Sequence, residues 1–265
     1  MPTISAAQRD GLTSELCRAT VDTIHIRDKN LCTELIGKVS FTQMLFFDIL
    51  GRMPDPQEIL VLDAVFVTLM EHGLAPSAIA ARLTYASAPE ALQGAVAAGL
   101  LGAGSVMLGT LEGSARLLTE IVTSKEGVES AARRIVSAHK AAREPVCGFG
   151  HPSHKPDDPR TTRLFALAEE WGLPGEHIAA ARTLSRVVDD VFGKHLTMNA
   201  SLACGALLAE IRMPVQIVRG FAIITRAAGL IAHIYEEQRN PIAWQTAKIV
   251  QDSVAYRAPL ESPKE

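Results

Sequence analysis

Histidine and arginine are the residues whose spacing in this chain offers chemistry. The segment Glu144-Pro-Val-Cys-Gly-Phe-Gly-His-Pro-Ser-His-Lys-Pro-Asp-Asp-Pro159 collects four prolines, two glycines, two histidines and a lysine between helical stretches. Loops held between regular elements are where binding and catalytic groups concentrate. His151 follows Gly148-Phe149-Gly150, whose glycines let the backbone approach a ligand, and Arg160 falls in the first turn of a helix opened by Asp158-Pro159. Imidazole can donate to a developing oxyanion and guanidinium can clamp a carboxylate with two hydrogen bonds, so the pair suits a carboxylate-bearing substrate. A solvated turn with an exposed cation fits the same spacing. His72 ends an apolar run before Gly73-Leu-Ala-Pro76-Ser77 and reads as a site group or as a cap favoured by the helix dipole. Arg226 interrupts the apolar run Phe221, Ile223, Ile224, Leu230, Ile231, which is costly unless an anion meets it, from an internal carboxylate or from a substrate. His151 and His154 with Asp157 or Asp158 would form a metal set. The prolines at 152, 156 and 159 work against their convergence and no thiolate is near, so no metal is expected.

Composition narrows the classes. With 265 residues, 48% apolar, 21% charged and 5% aromatic, the chain can bury a large core in one or two domains. A formal charge of -3 gives no global reason to bind nucleic acid or an anionic membrane. The cysteines at 17, 32, 147 and 204 are scattered, which indicates neither a zinc ribbon nor a disulfide scaffold. The stretch MPTISAAQRDGLTSEL has no basic start followed by an apolar run, so no signal peptide and a cytoplasmic location are expected. Leu92 to Leu111 is uncharged, but five glycines and Gln93 lower its hydrophobicity. It is expected as one or two helices buried all round in protein, with no membrane partner. Gly102-x-Gly104 lacks the third glycine of a dinucleotide loop, and no Walker loop, GxSxG elbow or HExxH occurs.

The elements that must position these residues are helical. Ser40-Phe-Thr-Gln43 is a capping box before an apolar run that stops at Gly51, and Asp55-Pro56-Gln-Glu58 opens a run at helical spacing to Gly73. Ser87-Ala-Pro-Glu90 predicts another start, and Asp158-Pro159 opens a helix through Leu164, Phe165, Leu167 and Ala168 to Gly172. No regular alternation and no Asn-Gly or Asp-Gly turn argues for strands, so an all-α fold is expected.

Taken in order, the patches are Ser40-Phe-Thr-Gln-Met-Leu-Phe-Phe-Asp-Ile-Leu-Gly-Arg-Met-Pro54, Glu71-His72-Gly73 with Pro76-Ser77, and Ala98-Gly99-Leu-Leu with Gly109 and Glu112. Gly148-Phe-Gly-His151 with Asp158-Pro-Arg160 and Arg226-Ala-Ala-Gly-Leu-Ile-Ala-His233 follow. Over nearly the whole chain this resembles the citrate synthase superfamily, in its short citryl-CoA lyase branch related to the carboxy-terminal module of ATP-citrate lyase.

The resemblance implies an all-α homodimer with a large helical domain (1-108 and 222-265), a small helical domain (109-221) and an interdomain cleft. It implies a coenzyme A thioester as substrate, with a small di- or tricarboxylate such as oxaloacetate, and no permanently bound cofactor. By that likeness His72 and His151 hydrogen-bond the reacting oxygen, Arg160 and Arg226 bind carboxylates, and Arg239 is an arginine contributed across the dimer. Lys155 is a candidate for a coenzyme A phosphate, and the glycine-rich stretch Gly94 to Gly109 for dimer packing. The tail from Arg257 is expected as a loose end or an arm over the partner.

Three positions depart from the family. Ser201 stands where the catalytic aspartate follows an Asn-Val pair, Met107 where citrate synthases place histidine before Gly-Gly, and Pro152 where the lyase module has arginine. The implied activity is cleavage of a 3-hydroxy-acyl-CoA such as citryl-CoA to acetyl-CoA and oxaloacetate, with His151 or His72 as acid/base and Ser201 as a hydrogen-bonding relay. The alternatives are a citrate or 2-methylcitrate synthase (acyltransferase) using Asp189, Asp190 or Glu112 as base, and a non-catalytic coenzyme A or carboxylate-binding homologue.

Overall fold

A computed structural model describes residues 13–257. The start of the stretch read for a signal peptide and the tail beyond Arg257 lie outside the described residues. The chain divides into two compact units, one up to Asp63 and one from Ala64.

In the first unit, three short antiparallel strands, β1 (Cys17–Ala19), β2 (Ile24–Ile26) and β3 (Lys29–Asn30), pair in the order β1-β2-β3, with Cys17 opposite Ile26 and His25 opposite Asn30. Sequence periodicity missed them because two or three residues are too few to show alternation. A π-helical turn, Leu31–Leu35, follows, and then α1 (Phe41–Leu50). The capping box forms as read: Ser40 Oγ accepts from Gln43 N at 3.2 Å and Gln43 Oε1 accepts from Ser40 N at 2.8 Å, while Gly51 leaves the helix at φ 72°. Asp55 and Glu58 exchange the same pair of bonds, at 2.9 and 2.8 Å, to open α2 (Pro56–Met70), whose residues from Ala64 onward belong to the second unit.

The second unit contains α3 (Pro76–Ser87), α4 (Leu92–Leu101), α5 (Gly109–Thr123), α6 (Val128–Ala142), α7 (Pro159–Glu170), α8 (Glu176–Phe192), α9 (Ala200–Glu210), α10 (Val215–Arg239) and α11 (Ala243–Ser253). Helix α9 is buried at every residue except Ser201, as expected of a helix apolar all round, and packs against α5, α7 and α8. Helix α10 packs on α3, α4 and α5. Leu118, Leu184, Leu202, Leu207 and Leu208 form fully buried core.

Two expectations are corrected. Ser87 closes α3 and does not open a helix, because its hydroxyl donates to Leu83 O of its own helix at 3.1 Å. Leu92 to Leu111 is not buried all round: α4, a π-helical turn at Gly104–Leu108 and α5 meet at a 71° bend, leaving Leu101 85% and Val106 84% exposed. Among the described residues, α10 is long and apolar enough to cross a membrane; half of its most apolar window is buried in protein, and it carries Arg226 and His233.

Candidate active site

The loop carrying His151 is held by backbone bonds to the segment before α9. Gly150 N donates to Thr197 O at 2.7 Å, Asn199 N to Gly148 O at 2.9 Å and Asn199 Nδ2 to Gly150 O at 3.1 Å. Gly148 adopts φ +87°, and a β-carbon there would stand 2.7 Å from Leu202 Cβ, so this contact requires glycine. The loop then turns back, and His151 Nδ1 accepts from the backbone amides of Ser153 (3.1 Å) and His154 (2.9 Å). With its Nδ1 lone pair used twice, we assign the imidazole proton to Nε2. Arg160 Nη2 lies 3.5 Å from that Nε2, and neither group can accept. Two donors side by side require an acceptor oxygen to join them.

Arg160 is oriented by the buried carboxylate of Asp158, which accepts from its Nε at 3.0 Å and Nη2 at 2.8 Å. The same carboxylate accepts the amides of Arg160 (3.0 Å) and Ala200 (3.1 Å), so it fixes the starts of α7 and α9 together. Burial pushes the Asp158 carboxyl up, but the bonds from Arg160 and Ala200 outweigh it and hold the group below the usual range.

His72, two residues past α2, faces the same space. The ring centroids of His72 and His151 are 5.2 Å apart, and His154 stacks on His151 at 4.3 Å. Desolvation, partial at exposed His72 and at half-buried His151, lowers the pKa of both, with neighbouring Arg160 and His154 acting in the same direction and Asp158 against it, so both rings favour the neutral form. Ligand atoms of His72, His151 and His154 all lie within 4.8 Å of one another, which poses the question of a metal. The cluster does not fit one: His151 Nδ1 is occupied by two amides and Nε2 holds the proton.

Arg226 enters from α10. It is 8% exposed, its Nη2 donates to Leu69 O at 3.3 Å, and its Nη1 is buried with no partner. The hydroxyl of Ser77, 1% exposed, is likewise unpartnered. Both line a cavity of about 270 Å³ together with Glu71, His72, His151, Arg160 and Ser201. A wall that leaves a guanidinium nitrogen and a hydroxyl unsatisfied calls for a polar, anionic occupant.

Four of the expected site histidines and arginines, His72, His151, Arg160 and Arg226, therefore meet in one cavity with Ser201. Ser201 Oγ is 3.0 Å from Thr110 Oγ1, and Thr110 donates its hydroxyl to Met107 O at 2.8 Å. The proton in the serine–threonine bond must then come from Ser201, which turns its lone pairs to the cavity. Arg239 is exposed at the end of α10, over the Tyr235 ring at 5.8 Å, and Lys155 is exposed on the loop; neither lines the cavity. The carboxylates considered as replacement bases are engaged elsewhere. Asp189 accepts from Leu196 N at 2.9 Å and lies 2.7 Å from His195 Nδ1, Asp190 pairs with Arg133 at 3.2 Å, and Glu112 pairs with Arg116 at 2.9 Å and Arg219 at 3.0 Å. Sequence reasoning gave no role to Ser77, Thr110 or Glu71; only the last carries a local signal, a carboxylate directly before His72.

Residues 17–247 match the family described as citrate synthase, C-terminal domain. A putative citrate synthase 2 of Mycobacterium tuberculosis is 31% identical over 211 residues, which is 78% of this chain and 53% of that protein. The chain spans about half the length of the curated relatives it matches. Among solved structures, citryl-CoA lyase from Hydrogenobacter thermophilus superposes with a TM-score of 0.82 at 32% identity, covering 96% of this chain and 97% of that one. ATP citrate lyase from Methanothrix soehngenii, in complex with citrate and coenzyme A, shares the fold at TM-score 0.77 and 18% identity, over 98% of this chain and 45% of that one. The match spans most of the sequence and includes every residue that builds the cavity, and on that ground the chain belongs to the citrate synthase family.

Proposed function

We propose that the chain is a carbon–carbon lyase that cleaves a 3-hydroxy-acyl-CoA of the citryl-CoA type to acetyl-CoA and a 2-oxo acid such as oxaloacetate. The observation that carries this reading is the buried, unpartnered Nη1 of Arg226, in a cavity whose other donors include His151 Nε2, Arg160 and the Ser77 hydroxyl. A multiply negative acid satisfies those donors at once. Its cleavage places negative charge on oxygen, where preorganised N–H groups stabilise it most. The likeness to a citryl-CoA lyase over nearly the full length of both chains supports the same reaction. The cavity, at about 270 Å³, lies at the small end for ligand sites, which suits the acid end of the substrate and leaves the coenzyme A body outside it. No permanent cofactor is required by this chemistry.

The same reading assigns a large domain to 1-108 and 222-265 and a small one to 109-221. Its support is that the cavity wall draws Leu69, His72 and Arg226 from the first set and His151, Arg160 and Ser201 from the second. Exposed apolar Leu101, Val106 and Met107 support self-association through the Gly94 to Gly109 region, giving a homodimer in the cytoplasm to which Arg239 is contributed across the interface and in which Lys155 meets a coenzyme A phosphate. Purified protein given citryl-CoA is expected to release acetyl-CoA and oxaloacetate, followed by a coupled malate dehydrogenase assay. Free thiol from acetyl-CoA plus oxaloacetate, with no cleavage of citryl-CoA, would instead assign the synthase reaction named for the curated relatives. Coenzyme A binding with no turnover in either direction would overturn both.

A further inference from the structure

Breaking the carbon–carbon bond of a 3-hydroxy-acyl thioester needs a group that removes the hydroxyl proton and a group that protonates the enolate carbon. His151 is disqualified as the base, because its lone pair accepts two amides and its Nε2 can only donate. The hydroxyl of Ser201 is too weak a base. His72 is weakened by partial desolvation and by its neighbours Arg160, His154 and Arg226. Among the residues lining the cavity one carboxylate remains, Glu71.

Glu71 is aimed by a chain of buried groups. The amides of Ile242 (2.9 Å) and Ala243 (2.8 Å) donate to Glu237 Oε1, and Glu237 Oε2 accepts from Arg82 Nη1 at 2.9 Å, with both side chains 3% exposed. Arg82, also paired with Glu236, donates from Nε at 3.2 Å and Nη2 at 3.1 Å to His233 Nδ1. Arginine only donates, so the His233 proton sits on Nε2, which donates to Glu71 Oε2 at 2.9 Å. Gly229 makes the approach possible: a β-carbon there would collide with Met70 O and with Glu71 Oε1. Oε1 accepts no hydrogen bond among the described residues.

Resting on the lyase reading above, we propose that Glu71 is the proton carrier. Its carboxylate takes the hydroxyl proton as the carbonyl of the 2-oxo acid forms; the carbon–carbon bond breaks with its electron pair moving into the thioester enolate; and the same carboxyl returns that proton to the enolate carbon, making the methyl group of acetyl-CoA. One O–H and one C–C bond are lost, one C=O π bond and one C–H bond are gained, and no outside oxidant or proton is needed.

The test is Glu71→Gln in the full chain, which keeps an acceptor for His233 and removes the proton-carrying function. Two readouts apply: citryl-CoA cleavage, and exchange of acetyl-CoA methyl hydrogens with D2O in the presence of oxaloacetate, read by mass spectrometry. Glu71→Gln should lower both by about 100-fold or more, while citrate and coenzyme A affinities by calorimetry stay within about threefold. Glu71→Asp should keep part of the activity, and Ser201→Asp added to Glu71→Gln should restore about tenfold, by supplying a carboxylate across the cavity. Wild-type protein that leaves citryl-CoA intact defeats the lyase reading alone. In that case methyl exchange that is present in wild type and absent in Glu71→Gln still supports Glu71. Exchange absent from wild type, exchange equal in the two proteins, or ligand affinity lost in step with activity overturns the proposal.

Discussion

Arg226 sits 8% exposed with one weak backbone acceptor and one empty donor, an arrangement that costs stability in the unliganded fold. A residue kept under that cost is spent on a ligand. Arg226→Met, similar in length and uncharged, is expected to raise the thermal midpoint measured by calorimetry and to weaken citryl-CoA use by about 2–5 kcal/mol. A lower midpoint with unchanged kinetics would mark it as an internal structural cation. At this scale the sequence was legible wherever a residue type clashed with its surroundings: an arginine in an apolar run, histidines beside glycine and proline. It was silent where the meaning depends on a distant partner. Glu71 is ordered by His233, 162 positions away, and the His151 tautomer is set by two amides that no side-chain pattern encodes.

At the scale of elements, α10 is both scaffold and site. Its Arg226 faces the cavity, its His233 aims Glu71, and its Gly229 lets the helix lie against the end of α2. Gly229→Ala adds a methyl group with nowhere to go, and an overpacked contact of this kind typically costs about 1–3 kcal/mol. Urea unfolding is expected to show that loss, together with lower citryl-CoA turnover as Glu71 is displaced; wild-type stability and activity would mean that the helices slide apart freely. Capping chemistry explains which elements could be read in advance. Ser40, Asp55 and Asp158 each have side-chain bonds to the next turn, so local sequence fixes those starts. Helix α4 begins at Leu92 with no side-chain cap, and Ser87 spends its hydroxyl within α3, so the boundary there follows from packing. The strands at residues 17–30 are too short for a period to form.

For the molecule as a whole, titration of a few histidines shapes how stability varies with pH. His72 and His151 have pKa values lowered from 6.5, first by desolvation and then by neighbouring Arg160 and His154; His72 is exposed, so solvent screens its share and half-buried His151 carries more of the effect. The unfolded chain therefore binds protons there before the folded one, and the stability these rings contribute is complete above 6.5 and lost as pH falls through their lowered values. Asp158, held below its usual 3.8, extends the loss further into acid. His195 works in the opposite sense: hydrogen bonding to Asp189 raises its pKa above 6.5, so its contribution is complete below that value and fades as pH rises through the raised one. Its ring is 43% exposed, so solvent screens that limb and leaves it shallow. Across the histidine range the thermal midpoint is thus expected to be highest near pH 6.5, and a further alkaline loss follows above 9, where the Cys204 thiol, pushed up to about 12 by burial, stays protonated in the fold while the unfolded chain ionises. Replacing His72 and His151 together with glutamine should flatten the upper acid limb and leave the alkaline one, while His195→Gln should do the reverse. An acid limb unchanged in the double variant would show that the cavity imidazoles share their proton affinity with the unfolded chain, and the neutral-ring assignment at His151 would fall with it.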